Sequence, residues 1–250
     1  MMVEKKQKLK KVRLDQLLAE RSLAPTRTKA QSMILAGLVL VNNQTVTKAG
    51  TLVDAEADIT LKETMKYVSR GGVKLEGVLK AFQISVEALD VLDVGASTGG
   101  FTDCVLQNGA RHVYAVDVGR GQLDVSLRNN PKVTYKESFH ARELSPETFG
   151  RKFPMIVMDV SFISLKKVLP VVLKCLEAGG KIVALIKPQF ETEAKHLDKG
   201  VVKDERVRLQ ILEDIQKFAS DELGLKDIQI SDSVIKGPKG NQETFLIGHT

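Results

Sequence analysis

Cysteine is nearly absent from this chain, histidine is scarce, and no apolar run is long. Cys104 and Cys175 are the only two cysteines among 250 residues. That is too few for a disulfide framework, and their spacing matches no metal motif. A reduced, cytoplasmic protein is the expected setting. His112, His140, His196 and His249 are scattered, with no metal-ligand neighbour at helical or loop spacing, so no metal is expected in the chemistry. The best apolar run, Ile182–Ile186, is strand length, against the ~20 residues a membrane helix needs. The basic start lacks the apolar stretch of a secretory signal. Beyond that start there are no low-complexity segments, and there are no internal repeats.

What is present is a 43% hydrophobic chain, enough to bury a core, with a formal charge of +6. The charge is uneven. Residues 1–13 carry six basic side chains against Glu4, a net +5; residues 14–60 net −1; the remainder nets +2. A basic tail over residues 1–11 points to a polyanion partner, or else to a solubilising or expression-derived end.

Behind the tail, Leu14, Leu17 and Leu18 fall at i, i+3, i+4 and read as one helix face. Thr26 reads as the N-cap of a second helix with Ala30, Met33 and Ile34 inward and Gly37 as its stop. Val39–Val41 and Asp58–Leu61 read as short strands joined through an Asn42-Asn43 turn. Residues 12–61 thus form a small α+β module, and 62–67 a polar linker. From 68 to 250 the pattern is α/β: the short apolar runs Val91–Gly95, Val113–Asp117, Met155–Asp159 and Ile182–Lys187 alternate with helix-like stretches near 100–109, 165–177 and 205–219. This predicts a mostly parallel sheet covered on both faces.

Ligands of such sheets bind beyond the carboxyl ends of the strands. Four strands here end in charge: Asp93, Asp117, Asp159 and Lys187. Together they predict a polar cleft. The first strand runs into Asp93-Val-Gly-Ala-Ser-Thr-Gly-Gly-Phe101, which is neither a dinucleotide G-x-G-x-x-G nor a P-loop. Asp117 follows at the distance where an acid takes the hydroxyls of a cofactor ribose, about 20 residues on.

Several stretches together resemble one family. The turn 93–101 with Asp117 is similar to the S-adenosylmethionine site of methyltransferases. Val68-Ser-Arg-Gly-Gly-Val-Lys74-Leu, Asp159-Val-Ser-Phe-Ile-Ser164 and Lys187-Pro-Gln-Phe-Glu191 resemble the hemolysin-A-like (TlyA) rRNA ribose methyltransferases, of the FtsJ type. Arg13-Leu-Asp-Gln-Leu-Leu18 with Ile34–Asn42 resembles the S4 RNA-binding domain that precedes them. The resemblance spans roughly residues 12–248. It implies a Rossmann-like class I methyltransferase domain after a small S4 domain, and a Lys–Asp–Lys–Glu tetrad that falls on Lys74, Asp159, Lys187 and Glu243. The implied reaction is 2′-O-methylation of a cytidine ribose in ribosomal RNA. The chain's end at Thr250 inclines the expectation to the large subunit, since members that also modify the small subunit tend to have extra terminal residues.

A ribose 2′-hydroxyl is a poor nucleophile at neutral pH, and Lys187 is the expected base, with Lys74 as a neighbouring cation, Asp159 orienting Lys187, and Glu243 holding Lys74 and the ribose. For the cofactor, Gly95, Ser97, Thr98 and Gly99 are expected around the methionine part, Asp117 at the adenosine ribose and Arg142 near the adenine, with Asp93 also among the cofactor-binding residues. For RNA, Arg13, Arg27 and Lys29 lie at or near helix N-termini, and Arg70 and Lys66 flank the linker. The segment 189–204 reads as a mobile loop over the cleft. Three rival readings stand beside it: an rRNA-binding assembly factor without methyl transfer; a membrane-active hemolysin; and a base methyltransferase, whose N/D-P-P-Y-type motif Asp159-Val-Ser-Phe162 does not match.

Overall fold

The computed structural model describes residues 11–62 and 66–250. The basic tail expected before Lys11 and part of the expected linker lie outside them. The chain divides into two compact units, parting at Met65/Lys66.

The first unit begins with β1 (Lys11–Arg13), α1 (Leu14–Glu20) and α2 (Arg27–Leu35). Thr26 caps α2, its hydroxyl accepting from Lys29 N–H at 3.1 Å. Leu14, Leu17, Leu18, Ala30 and Ile34 are buried together. Then come β2 (Val39–Val41), β3 (Gln44–Thr45), β4 (Leu52–Asp54) and β5 (Ile59–Leu61). One expectation is corrected here. Asn42 and Asn43, both at positive φ, turn β2 into β3 and not into β5, which pairs with the other edge of β2. A two-residue turn of this kind joins adjacent antiparallel strands, so β5 must arrive by a longer route. β1 and β4 pair as a separate ribbon; three-residue strands rich in charge left no periodic signal.

In the second unit α3 (Arg70–Ala81) precedes β6 (Asp90–Val94), α4 (Gly100–Gln107), β7 (His112–Val116), α5 (Val125–Arg128), β8 (Val133–Lys136), β9 (Phe153–Met158), α6 (Leu165–Val172), β10 (Leu176–Ile186), α7 (Glu205–Lys217), β11 (Lys226–Asp232) and β12 (Thr244–His249). The seven strands stand in the order β11-β12-β10-β9-β6-β7-β8. All neighbours are parallel except across β12, which runs against both β10 and β11. Alternation sorts the central strands between two cores. Ile156, Met158, Ile182 and Ala184 face α6 and α7. Met155, Val157, Val183 and Leu185 face α3 and α4. Burial on both faces explains why these strands read as continuous apolar runs.

The reversed strand matters for the site. Parallel strands deliver their carboxyl ends to one edge. β12 brings its amino end there instead, with Thr244 opposite Ile186, so Glu243 arrives beside Lys187.

Candidate active site

Three confluent cavities open along that edge, and Asp159 lines all three. The largest, about 730 Å³, lies beyond β6, β7 and β9, with Gly95, Ser97, Asp117, Gln122, His140 and Arg142 in its wall. The next, about 400 Å³, holds Lys74, Asp159, Lys187 and Glu243. The third, about 210 Å³, joins Arg70 and Lys74 of α3 to Gly95, Ser97 and Thr98.

Gly95 makes the junction. Its φ is +87°, and a Cβ there would stand 2.6 Å from the carbonyl oxygen of Asp159. Only glycine lets the ends of β6 and β9 approach so closely. The turn that follows is tied to Asp117, whose carboxylate accepts from Ser97 N–H at 2.8 Å and Gly119 N–H at 2.6 Å.

In the tetrad cavity the charges pair one to one. Lys74 Nζ lies 2.5 Å from Glu243 Oε2, and both side chains are almost fully buried. Lys187 Nζ lies 2.5 Å from Asp159 Oδ1 and donates to Ser161 Oγ at 2.8 Å. The Asp159 contact is an ion pair off the hydrogen-bonding direction, which leaves Oδ1 a buried acceptor without a directed donor, as is Gln189 Oε1. The segment Lys187–Glu191 is braced from behind. Glu191 accepts from Ser164 Oγ at 2.6 Å and from Leu165 N–H at 2.7 Å, joining this loop to the start of α6; burial pushes its carboxyl above the usual range.

Two of the residues expected at the cofactor, Asp93 and Gly99, line none of the three cavities. Asp93 is not at the strand end but inside β6, fully buried. Its Oδ2 accepts from Thr102 Oγ1 at 2.6 Å, its Oδ1 has no partner among the described residues, and burial pushes its carboxyl up to about 7. Gly99 caps α4 at φ +96°, a conformation that favours glycine, and a Cβ there would also meet the end of the Leu127 side chain at 2.2 Å.

In the first unit the expected RNA-facing arginines are also engaged. Arg13 reaches Asp15 through two nitrogens, at 3.0 and 3.1 Å. Arg27 Nε adds a contact at 2.9 Å and Gln31 another at 2.7 Å. Asp15 is fully buried, while the arginine side chains stay half-exposed. The Arg13 guanidinium holds the Asp15 carboxyl well below the usual carboxylate range. Lys29 is exposed.

Several site residues escaped sequence reasoning. Ser161 lay within a motif already singled out. Phe162 is 90% exposed, at φ +63°, with its ring 5.0 Å from that of Phe190; a bulky residue held in that conformation is a functional signal that sequence does not carry. The loop 189–204 is less featureless than expected. It contains single turns at Pro188–Phe190 and Ala194–His196, and Asn241 tethers it at Gly200 and Val202.

A seven-stranded sheet with one reversed strand, a glycine turn after its first strand in chain order and an acid after the next is the class I methyltransferase arrangement. Residues 67–250 match the FtsJ-like methyltransferase model, and residues 12–59 match the S4 domain. The chain belongs to the FtsJ-like methyltransferase family, in the TlyA and hemolysin A group that carries an S4 domain ahead of the enzyme domain. It is 44% identical over 243 residues to YqxC of Bacillus subtilis, described as a candidate rRNA methyltransferase, covering 96% of this chain and 86% of that protein. It is 41% identical over 240 residues to TlyA of Mycobacterium tuberculosis, described as a 16S/23S rRNA (cytidine-2′-O)-methyltransferase, covering 95% and 89%. A solved structure from Streptococcus thermophilus, described as a candidate hemolysin, is similar with TM-score 0.73 and 40% identity, covering 97% and 89%. Among the described residues no helix is long and apolar enough to cross a membrane.

Proposed function

We propose that this chain methylates the 2′-hydroxyl of a cytidine ribose in ribosomal RNA, with S-adenosylmethionine as methyl donor. The observation that carries the reading is the meeting of Lys74, Asp159, Lys187 and Glu243 in one cavity that opens on the Gly95 turn. The similarity to the 16S/23S enzyme supports ribosomal RNA, and the similarity to a Campylobacter jejuni protein described as a 23S rRNA (cytidine-2′-O)-methyltransferase supports the large subunit as target. Residues 12–61 would recognise RNA and residues 68–250 would carry the reaction, in the cytoplasm where ribosomal subunits are found.

The residues present fit the cofactor. The 730 Å³ cleft has the volume of a site for a drug-sized ligand, about 300–1,000 Å³. Gly95, Ser97 and Thr98 would hold the methionine part, Asp117 the ribose hydroxyls, and Arg142 the adenine side. When bound, S-adenosylmethionine supplies a methyl group activated on a positively charged sulfur.

The chain's own residues do the rest. Lys187, held by Asp159 and Ser161, is the group assigned to receive the 2′-hydroxyl proton; its ammonium must first give up one proton to solvent, and the freed amine then takes the proton from the hydroxyl as the methyl is transferred. Lys74, tethered by Glu243, keeps a second cation beside it. Asp159 Oδ1 is taken by the Lys187 ammonium, and Gln189 Oε1, an acceptor without a donor among the described residues, would be the hydrogen-bond site for a ribose hydroxyl or a base amine. Phe162 and Phe190 give an aromatic face at the mouth. Such faces stack bases taken out of a helix, which favours a loop or splayed nucleotide as target.

The test is transfer of tritiated methyl to undermethylated ribosomal subunits, followed by mapping of the labelled nucleotide. Label on a cytidine ribose is expected. Label on a base, or none in rRNA while S-adenosylmethionine still binds, overturns the reading; the second result favours an assembly factor.

A further inference from the structure

A ribose presented to Lys187 carries a charge that the tetrad does not balance. The point rests on the ribose-methylation reading above. The carbon bearing the 2′-hydroxyl adjoins the carbon bearing the 3′-phosphodiester, so the substrate brings one negative charge to the cavity mouth. The ionisable lining of that cavity is Lys74, Lys187, Lys239, Asp159 and Glu243. Lys74 is spent on Glu243 and Lys187 on Asp159, each at 2.5 Å. Lys239 has no ion-pair partner among the described residues. An anion that leaves water for a cavity wall needs a cation or several donors to offset its desolvation.

We propose that Lys239 binds the phosphodiester adjoining the target ribose and so sets the register of the RNA strand over the tetrad. The backbone that carries it is built for a fixed position. Pro238 and Lys239 are the central residues of a turn closed by Gly240 N–H donating to Gly237 O at 2.9 Å, and Gly237 N–H donates to Asn241 O at 2.9 Å. Pro238 presets the first central position of such a turn. Asn241 is buried; its side chain accepts from Val202 N–H at 3.0 Å and donates to Gly200 O at 2.9 Å. The turn also rests on the tetrad, because a Cβ at Gly237 would stand 2.6 Å from Glu243 Oε1. The Lys239 ammonium therefore rides on a backbone held against Glu243, while its side chain is exposed and its flexible stem can follow a phosphate oxygen. None of the proton-handling roles above uses it.

The experiment compares full-length wild type with Lys239→Ala and Lys239→Arg, using undermethylated ribosomal subunits and tritiated S-adenosylmethionine over a salt series. For Lys239→Ala, KM for subunits is expected to rise about five- to tenfold with kcat held within about twofold. The slope of log(kcat/KM) against log salt should flatten by about 0.7–0.9, the share of one phosphate contact. Lys239→Arg should recover most of both, and affinity for S-adenosylmethionine should not move. Should the alanine variant lose cofactor binding, Lys239→Gln, which keeps most of the stem, carries the same test. An unchanged KM and salt slope in a variant that binds cofactor overturns the assignment, as does a fall in kcat alone. A wild type that leaves ribose unlabelled overturns this proposal and the reading beneath it; a wild type that methylates while Lys239→Ala matches it overturns this one only.

Discussion

In the first unit two arginines converge on a single carboxylate, Asp15; in the second, two lysines take one carboxylate each and share a cavity. Both clusters hold a nearly or fully buried acid. They differ in what surrounds the cations. Arg13 and Arg27 close over Asp15 from the half-exposed surface and, with Gln31, surround its carboxylate with donors. Lys74 and Lys187 face a cavity of about 400 Å³, where the buried acceptor Gln189 Oε1 still lacks a donor among the described residues. A cluster whose hydrogen bonds are complete holds local structure together, and one that leaves an acceptor open around a space is arranged for a ligand. Sequence shows both only as acids and bases; satisfaction and surrounding volume separate them.

The sharpest break is Lys187→Ala. If the cavity pairs exist for chemistry, methyl transfer should fall by about 10²–10⁴-fold, the usual worth of a positioned base. S-adenosylmethionine affinity should stay within about twofold, because Lys187 lines the tetrad cavity and not the larger cleft. Single-turnover methylation and calorimetric cofactor titration read the two halves. Retained turnover at moderate pH would remove Lys187 from its role and make the second cluster resemble the first.

Asp93 extends the comparison to a buried acid with no cation. Folded, it holds its proton to about pH 7; unfolded, it loses it near 3.9. Between those values the folded chain binds the extra proton, so this group makes stability fall as pH rises from about 4 to about 7, with no further loss above. The whole effect is on the order of 4 kcal/mol at ~1.4 kcal/mol for each pH unit. Asp93→Asn should remove that slope, so its urea midpoint should gain on wild type more at pH 8 than at pH 5. Equal gains at both values would mean that Asp93 is ionised in the folded chain.

Asp15→Ala tests the first cluster. Removing the acid leaves two guanidinium groups facing each other, but both can turn to water, so the loss should be about 2–3 kcal/mol, at or below the low end for a broken buried pair. The Asp15 contribution is present at neutral pH and persists until strong acid, because its folded value lies below the unfolded one. Urea unfolding of the first unit followed at pH 7 and pH 4 should show the deficit at both. A variant as stable as wild type would leave the cluster without a structural purpose.

These contrasts show what could be read from the chain and what could not. β6, β7, β9 and β10 were legible because strands buried on both faces read as plain apolar runs. β1 and β4 were not, since Lys-Val-Arg and Leu-Val-Asp are too short and too charged to show a period. Asp159 and Lys187 announced themselves by following strands. Lys74 and Glu243 lie 169 residues apart and follow no parallel strand; the family resemblance was needed to pick them, and the reversed β12 is what delivers Glu243. Asp93 and Gly99 line none of the three cavities, a fact that the motif does not carry because it gives residue order and not burial. The expectation that Arg13 and Arg27 face RNA carries no sign of their shared partner, because Asp15 lies 2 and 12 residues from them and only the fold brings the three together.

The smallest contrast lies within α2, two residues apart. Arg27 is tied to Asp15, and Lys29 is exposed with its side chain in no ion pair among the described residues. If completed hydrogen bonding marks a structural cation, Arg27→Ala should cost about 1 kcal/mol of stability, the worth of one charged hydrogen bond at a half-exposed site. Its effect on RNA affinity should then be secondary. Lys29→Ala should leave the unfolding midpoint where it was. It should weaken binding to ribosomal RNA a few-fold and flatten the salt dependence by about 0.7–0.9, as expected for one lost phosphate contact. Unfolding curves and a salt-titrated filter-binding series on the two variants read all four quantities. The reverse pattern, with Arg27→Ala stable and blind to salt while Lys29→Ala unfolds early, would show that hydrogen-bond completeness does not sort these cations. In that case the Asp15 cluster would have to be reconsidered as a pair of arginines oriented for phosphate.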